Sequence, residues 1–141
     1  MSPSKPSHLD LEVVENIYRN RDYKVKISIP EFSCVCPRTG LPDYAVIDIH
    51  YIPDKHIVEL KSLKLYMLEF RNMGIFHEHV TNRILDDIVA SVEPVRCEIR
   101  GDFNLRGGIK TVVRANFERE KTEDRNQKSG EARFARGETP R

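Results

Sequence analysis

The chain has 141 residues, 39% of them hydrophobic and 32% charged, which is the length of one domain with a real core and too apolar for wholesale disorder. Lys plus Arg total 23 against 22 Asp plus Glu, and a net charge of +1 gives no support to nucleic-acid or membrane binding driven by bulk charge. No apolar run approaches the ~18–20 residues that span a bilayer, the N-terminus lacks the apolar stretch of a signal peptide, and three cysteines suit a reducing compartment better than a disulfide scaffold. The expectation is a soluble, cytoplasmic, single-domain protein.

Residues 1–20 read as an N-terminal extension, and residues 1–8 carry three serines and two prolines without periodicity. Tyr23, Val25, Ile27 and Ile29 then alternate with polar residues, a half-buried strand that Pro30 is expected to end. Residues 44–52 are rich in β-branched and aromatic types and predict a second strand. Pro53-Asp54-Lys55 makes a turn, and 56–60 adds a short strand. From Ser62 the period changes: Leu63, Tyr66, Met67 and Phe70 fall at helical spacing, with a stop at Asn72-Met73-Gly74. A second helix carries Phe76, Val80, Ile84, Leu85, Ile88, Val89 and Val92 on one face and ends at Pro94. Val95, Cys97 and Ile99 alternate with charged residues, Arg106-Gly107-Gly108 turns the chain, and Ile109 to Phe117 alternates again. The domain is therefore taken as 21–117. Residues 118–141 form a mixed-charge run in which Phe134 is the only large apolar side chain, and a solvated tail is expected.

The order ββ, αα, ββ predicts an α+β fold with two helices on one face of an antiparallel sheet. A sheet this small has two open edges, which invite pairing with another chain. Closing several copies into a barrel removes them, so a homo-oligomer is expected.

The segment Phe32–Asp43 is the richest in chemistry. Pro37 and Pro42 restrict its backbone and Gly40 permits a positive φ, so it is a shaped loop. Cys36 sits inside it, and Asp43 follows where the next strand begins. A thiol with a pKa of about 8.5 is only slightly ionised at neutral pH, yet its thiolate is a strong nucleophile. Arg38 and loop N–H groups can favour that thiolate, and a partly buried Asp43 can handle a proton. A turn cysteine beside an incidental carboxylate explains the same residues. Cys34-x-Cys36 has no second cysteine pair, so four zinc ligands are not at hand and no metal is expected. Cys97 lies on the apolar side of its alternation and reads as an inert thiol.

Phe76-His-Glu-His79 opens the second helix without making His-Glu-x-x-His, because Thr81 stands four beyond His77. Glu78 either complements the helix dipole or accepts paired hydrogen bonds from a guanine-like base edge. Lys61 and Lys64 are neighbours on one helical face, as a solvated surface or as a phosphate grip that Arg106 extends. No Gly-x-Gly-x-x-Gly follows a strand, so a nicotinamide cofactor would not be held in Rossmann fashion.

Five segments together resemble the NADPH-dependent 7-cyano-7-deazaguanine reductases, the nitrile reductases of the queuosine tRNA-modification pathway. They are Cys36-Pro-Arg-Thr-Gly-Leu-Pro-Asp43, Glu59-Leu-Lys-Ser-Leu-Lys-Leu-Tyr66, Phe70-Arg-Asn72, Phe76-His-Glu78 and Arg106-Gly-Gly108. The resemblance implies a tunnelling fold of the short, single-module type, assembled into barrels whose pentameric rings can stack, with active sites at subunit boundaries. It implies that Cys36 attacks the nitrile carbon to form a thioimide and that Asp43 is the proton donor. Val58, Glu59, Leu60, His77 and Glu78 would bind the deazaguanine, and Lys61, Lys64 and Arg106 the phosphates of the cofactor NADPH. Cys34 is an extra thiol two residues before the nucleophile. Neither a membrane nor direct nucleic-acid binding is implied. An amidino-transferring relative that uses the same thioimide on tRNA, a zinc-dependent pterin-pathway cyclohydrolase and a non-catalytic purine-binding module remain as alternatives.

Overall fold

The computed structural model of the chain describes residues 6–121. In chain order they form β1 (Val13–Glu15), β2 (Val25–Val35), β3 (Pro42–Ile52), β4 (His56–Val58), α1 (Leu60–Leu68), α2 (His77–Val92), β5 (Arg96–Arg106) and β6 (Ile109–Glu118). Four long strands make one antiparallel sheet in the order β2-β3-β5-β6, and β1 pairs with β4 in a small second sheet. This is the expected ββααββ arrangement, with one added short strand. No helix among the described residues is long and apolar enough to cross a membrane.

The core lies between the sheet and the helices, and the alternation of the strands puts it there. Phe32, Cys34, Ala45, Ile47, Ile49, Cys97, Ile99 and Phe103 all point to the helix side and are buried. From α1 come Leu63, Tyr66 and Met67, and from α2 Val80, Ile84, Ile88 and Val92, at the i, i+4 spacing that makes one apolar face. The Tyr66 ring meets Phe70 edge-on at 5.2 Å, and its hydroxyl donates to Asp87 at 2.5 Å. With Arg83 Nε at 3.3 Å, that bond satisfies the buried Asp87 carboxylate.

Pro30 does not end its strand. The ladder between β2 and β3 shifts by one residue between Ile29 and Phe32, so β2 bulges at Pro30-Glu31 and runs on to Val35. Proline is tolerated there because β2 is an edge strand and the bulge interrupts pairing. The extra residue also resets the alternation, so Phe32 and Cys34 face the core. A second shift between Phe103 and Arg106 puts an extra residue into β5 just before the two-residue turn Gly107-Gly108.

The domain begins earlier than the expected boundary at residue 21. Leu11 is in the core, β1 adds to β4, and the buried Asn16 donates to the Asp54 carbonyl at 2.8 Å while accepting from Tyr23 at 2.7 Å. At the other end Arg119 pairs with the buried Asp54 carboxylate at 2.9 Å. The polar composition of 1–20 conceals these contacts because they are made by a few isolated side chains. Of the aperiodic segment expected at residues 1–8 and the tail expected at 118–141, residues 1–5 and 122–141 lie outside the described residues.

Candidate active site

Cys36 follows the last residue of β2 and begins a tight loop. Its backbone N–H donates to the Leu41 carbonyl at 2.9 Å, and its own carbonyl accepts from Gly40 N–H at 2.9 Å. Gly40 has φ +74°, a conformation that a side chain would strain. The loop turns the N–H groups of Arg38 and Thr39 and the Thr39 hydroxyl toward the Cys36 sulfur. Those three hydrogen bonds, the Thr39 hydroxyl foremost, hold the thiol below its ordinary pKa. Desolvation and, less, the Asp43 charge push the other way and are outweighed. Cys34, two residues earlier, is fully buried, and burial with the nearby Asp43 carboxylate pushes its thiol up to about 12. Cys97 is buried too and also pushed up to about 12. One of three thiols is therefore prepared to react.

Asp43, the second residue of β3, lies directly opposite Cys34 in the ladder, on the helix side of the sheet. Its Oδ2 lies 3.1 Å from His77 Nε2 and its Oδ1 accepts from Arg106 Nη1. The same Arg106 nitrogen donates to the Pro42 carbonyl at 2.7 Å. Arg106 reaches this place through the bulge in β5, which turns a side chain that strict alternation would send to the opposite face. His77 arrives from α2 because the link before the helix is stitched to β2. Val35 N–H donates to the Met73 carbonyl at 2.9 Å, and Ile75 N–H to the Val35 carbonyl at 3.0 Å. Two backbone bonds thus set the start of α2 beside the Cys36 loop.

These elements enclose a cavity of about 430 Å³ lined by Cys36, Thr39, Asp43, His77, Glu78 and Arg106, among others. It is large enough for a bicyclic purine-sized molecule. Five of the ten residues expected in the site therefore meet in one place. The other five do not reach it within this chain. Val58 is buried, and Leu60, Lys61 and Lys64 are exposed on α1. The Glu59 carboxylate caps that helix, accepting from Ser62 N–H at 2.7 Å and Lys61 N–H at 2.9 Å. Those bonds hold it below the usual carboxylate range.

Phe76 was expected on the buried face of the second helix; it is instead the residue before the first turn, 42% exposed, and it lines the cavity. Two further contributors escape the motif reading. Thr39 acts on the Cys36 sulfur, and its place three residues after the thiol in a proline-bounded loop was the available signal. Phe103 stacks on His77, with ring centroids 3.9 Å apart and 5° between the planes. The alternation Cys97, Ile99, Gly101, Phe103 marks it as inward-facing. No cluster of three or more metal-ligating side chains occurs among the described residues.

A family model described as QueF-like protein matches residues 42–122. The curated NADPH-dependent 7-cyano-7-deazaguanine reductase of Thermomicrobium roseum is 56% identical over 83% of this chain and 91% of its own length. The protein of the same name from Chloroherpeton thalassium is 58% identical over 79% of this chain and 96% of its own. Among solved structures, the apo crystal structure of the archaeosine synthase QueF-Like superposes with a TM-score of 0.62 at 22% identity, covering 66% of this chain and 91% of that one. That likeness shows a shared fold. Matched by the family model over more than half its length and by relatives of more than 50% identity over most of it, the chain belongs to the QueF-like family of NADPH-dependent 7-cyano-7-deazaguanine reductases.

Proposed function

We propose that this chain reduces the nitrile of 7-cyano-7-deazaguanine to an aminomethyl group at the expense of NADPH, through a thioimide on Cys36. The observation that carries the mechanism is a partly exposed cysteine, its thiol favoured as thiolate, in one cavity with Asp43, His77 and Glu78. A nitrile carbon is a poor acceptor until a nucleophile adds to it. The Cys36 sulfur forms a C–S bond, the electron pair of one C–N π bond moves to nitrogen, and Asp43 at the cavity wall delivers the proton that nitrogen takes up. When bound in succession, two NADPH molecules would supply the two hydrides that a nitrile-to-amine reduction requires, and nitrogen takes its second proton from solvent after the second hydride. Between the two hydrides the C–S bond breaks, and sulfur leaves as the thiolate that Thr39 and the loop N–H groups stabilise.

Glu78 accepts paired N–H donors of the guanine-like edge, and a ligand without them leaves a carboxylate desolvated and unpaired. His77 borders the same ring. Val58, Glu59 and Leu60 complete the pocket from a second copy of the chain, since they lie off the cavity in this one and, among the described residues, the edge of β6 and that of β2 up to Val35 are open. The assembly proposed is a homo-oligomeric barrel, with stacked pentamers as its larger form. For NADPH the donor set fits. Lys61 and Lys64 present two exposed ammonium groups one turn apart, and a guanidinium carries five N–H donors of which Asp43 and Pro42 use one nitrogen, Nη1 of Arg106. The three free cysteines suit the reducing cytoplasm in which the reaction is proposed to run.

An amidino transfer on tRNA is less well supported. The relatives above 50% identity carry the reductase name, and the archaeosine synthase stands at 22%. The test is to mix the chain with 7-cyano-7-deazaguanine and NADPH, follow nicotinamide absorbance, and weigh the intact protein. NADPH oxidation and a mass adduct are expected, both lost in Cys36→Ala and kept in Cys34→Ala. No oxidation by the wild type, or an adduct surviving in Cys36→Ala, overturns the reading.

A further inference from the structure

We infer that Phe103 is a positioning residue for the reaction: its ring fixes the plane of the His77 imidazole and so keeps Nε2 on Asp43. The inference rests on the reading of Cys36, Asp43 and His77 as the reacting site. Imidazole and phenyl lie face to face, 3.9 Å between centroids and 5° between planes. That is closer and flatter than the offset or edge-on geometries aromatic pairs usually adopt at ~4.5–7 Å. The torsion that turns a histidine ring about its Cβ–Cγ bond has a broad minimum, so the side chain does not hold its own plane. A parallel wall at van der Waals distance does. Any turn of the imidazole drives one edge into Phe103 and moves the Nε2 atom off its 3.1 Å contact with Asp43.

The wall itself is rigid. Phe103 is 1% exposed, and it sits in the core face of β5 beside Gly101. A Cβ on Gly101 would fall 2.9 Å from Phe103 Cε1 and 2.7 Å from Thr81 Oγ1, so glycine lets both approach the strand. Thr81 in turn donates its hydroxyl to the His77 carbonyl at 2.9 Å, which fixes the backbone of the first turn of α2. Backbone and ring plane of His77 are thus set from one place on β5. Phe103 carries no proton or charge and does not line the cavity, so whatever it does for the reaction it does through His77.

The experiment is a double-mutant cycle on single-turnover reduction, with Phe103→Leu, His77→Ala and the pair. Phe103→Leu keeps apolar volume and removes the flat face. It should lower the reduction rate roughly 10–100-fold, the usual cost of a reacting group misplaced by about an ångström, with the KM for 7-cyano-7-deazaguanine little changed. In the His77→Ala background the same substitution should cost nothing further. His77 ring-proton resonances, displaced by the Phe103 ring current in the wild type, should move back in Phe103→Leu. Phe103→Met, which fills the space with a flexible side chain, is read in the same way if the leucine variant does not fold. A wild-type rate in a folded variant, a loss that persists undiminished without His77, or unmoved His77 resonances would overturn the inference. A missing Cys36 adduct in the wild type would instead defeat the site reading beneath it.

Discussion

Cys34 faces Asp43 across the β2–β3 ladder, while Cys36, only two residues on, stands past the end of β2 at the cavity wall. The ladder seals the first thiol into the core beside a carboxylate, where ionisation is penalised twice. The loop hands the second thiol three hydrogen-bond donors. The same residue type at neighbouring positions is thereby made inert in one case and reactive in the other.

The pH dependence of alkylation reads that difference directly. A lowered thiol pKa means more thiolate at a given pH, so the midpoint of iodoacetamide labelling at Cys36 should lie below the ~8.5 of a free cysteine. Thr39→Val removes the foremost stabilising donor and should move the midpoint up. Cys34 and Cys97 should label only when the chain unfolds. Labelling of Cys34 in the folded protein at near-neutral pH would show that the ladder does not seal it.

Asp43→Asn keeps the shape of the carboxylate and removes the acid. Reduction should fall by roughly 10²-fold or more, the usual worth of a positioned proton donor. Substrate affinity should change less, because the base edge is proposed to be held elsewhere, by Glu78. The separation is visible in kcat against KM, and near-normal turnover around neutral pH would leave Asp43 as a structural partner for Arg106 and His77.

Much of this fold and site is legible in the sequence. Alternation and helical spacing give the six main elements because side-chain period follows directly from backbone geometry. The loop from Cys36 to Asp43 announces itself by its prolines and glycine. What sequence spacing conceals is where elements shift register. Two one-residue bulges decide that Cys34 faces inward and that Arg106 turns toward Asp43, and nothing at Pro30 or Leu105 states this locally. The same holds for residues 11–16, whose docking depends on partners some 40 residues away at Asp54 and Val58. Phe103 was readable by parity but gave no chemical signal, because its part is to hold another ring.

The assembly proposed above has a direct signature. Among the described residues the outer edge of β6 is unpaired, as is that of β2 up to its Val35 end, and Leu60, Leu65 and Leu68 on α1 and Ile109 on β6 are 61%, 52%, 46% and 67% exposed. Open edges flanked by apolar side chains favour pairing with further copies. Sedimentation should show a species far above the 16.4 kDa of one chain. If sites are shared, mixing and reassembling the Cys36→Ala chain with a Lys61→Ala/Lys64→Ala chain should restore activity at low NADPH, where the first chain is inactive alone and the second impaired. A stable, active monomer would contradict both the barrel and the shared site.

The cofactor assignment rests on charge alone, since no glycine-rich strand-to-helix turn is present to cradle a pyrophosphate. Contacts between Lys61, Lys64 and phosphate should weaken as salt screens them, so the KM for NADPH should rise with ionic strength. Preference for NADPH over NADH should rest on the additional 2′-phosphate, to which a compact ammonium is well suited. Replacing Lys61 and Lys64 with Ala should therefore raise the KM for NADPH, flatten its salt dependence and narrow its lead over NADH. The fold should be unaffected, because both side chains are exposed and the α1 cap is made by Glu59 through backbone N–H groups that alanine retains. In the proposed mechanism adduct formation at Cys36 precedes hydride delivery, so it should survive the substitution. Adduct yield by mass, set beside steady-state kinetics with each cofactor at two salt concentrations, separates these effects. A double variant with wild-type NADPH kinetics would make the two lysines a solvated helix face and leave Arg106 as the remaining phosphate contact.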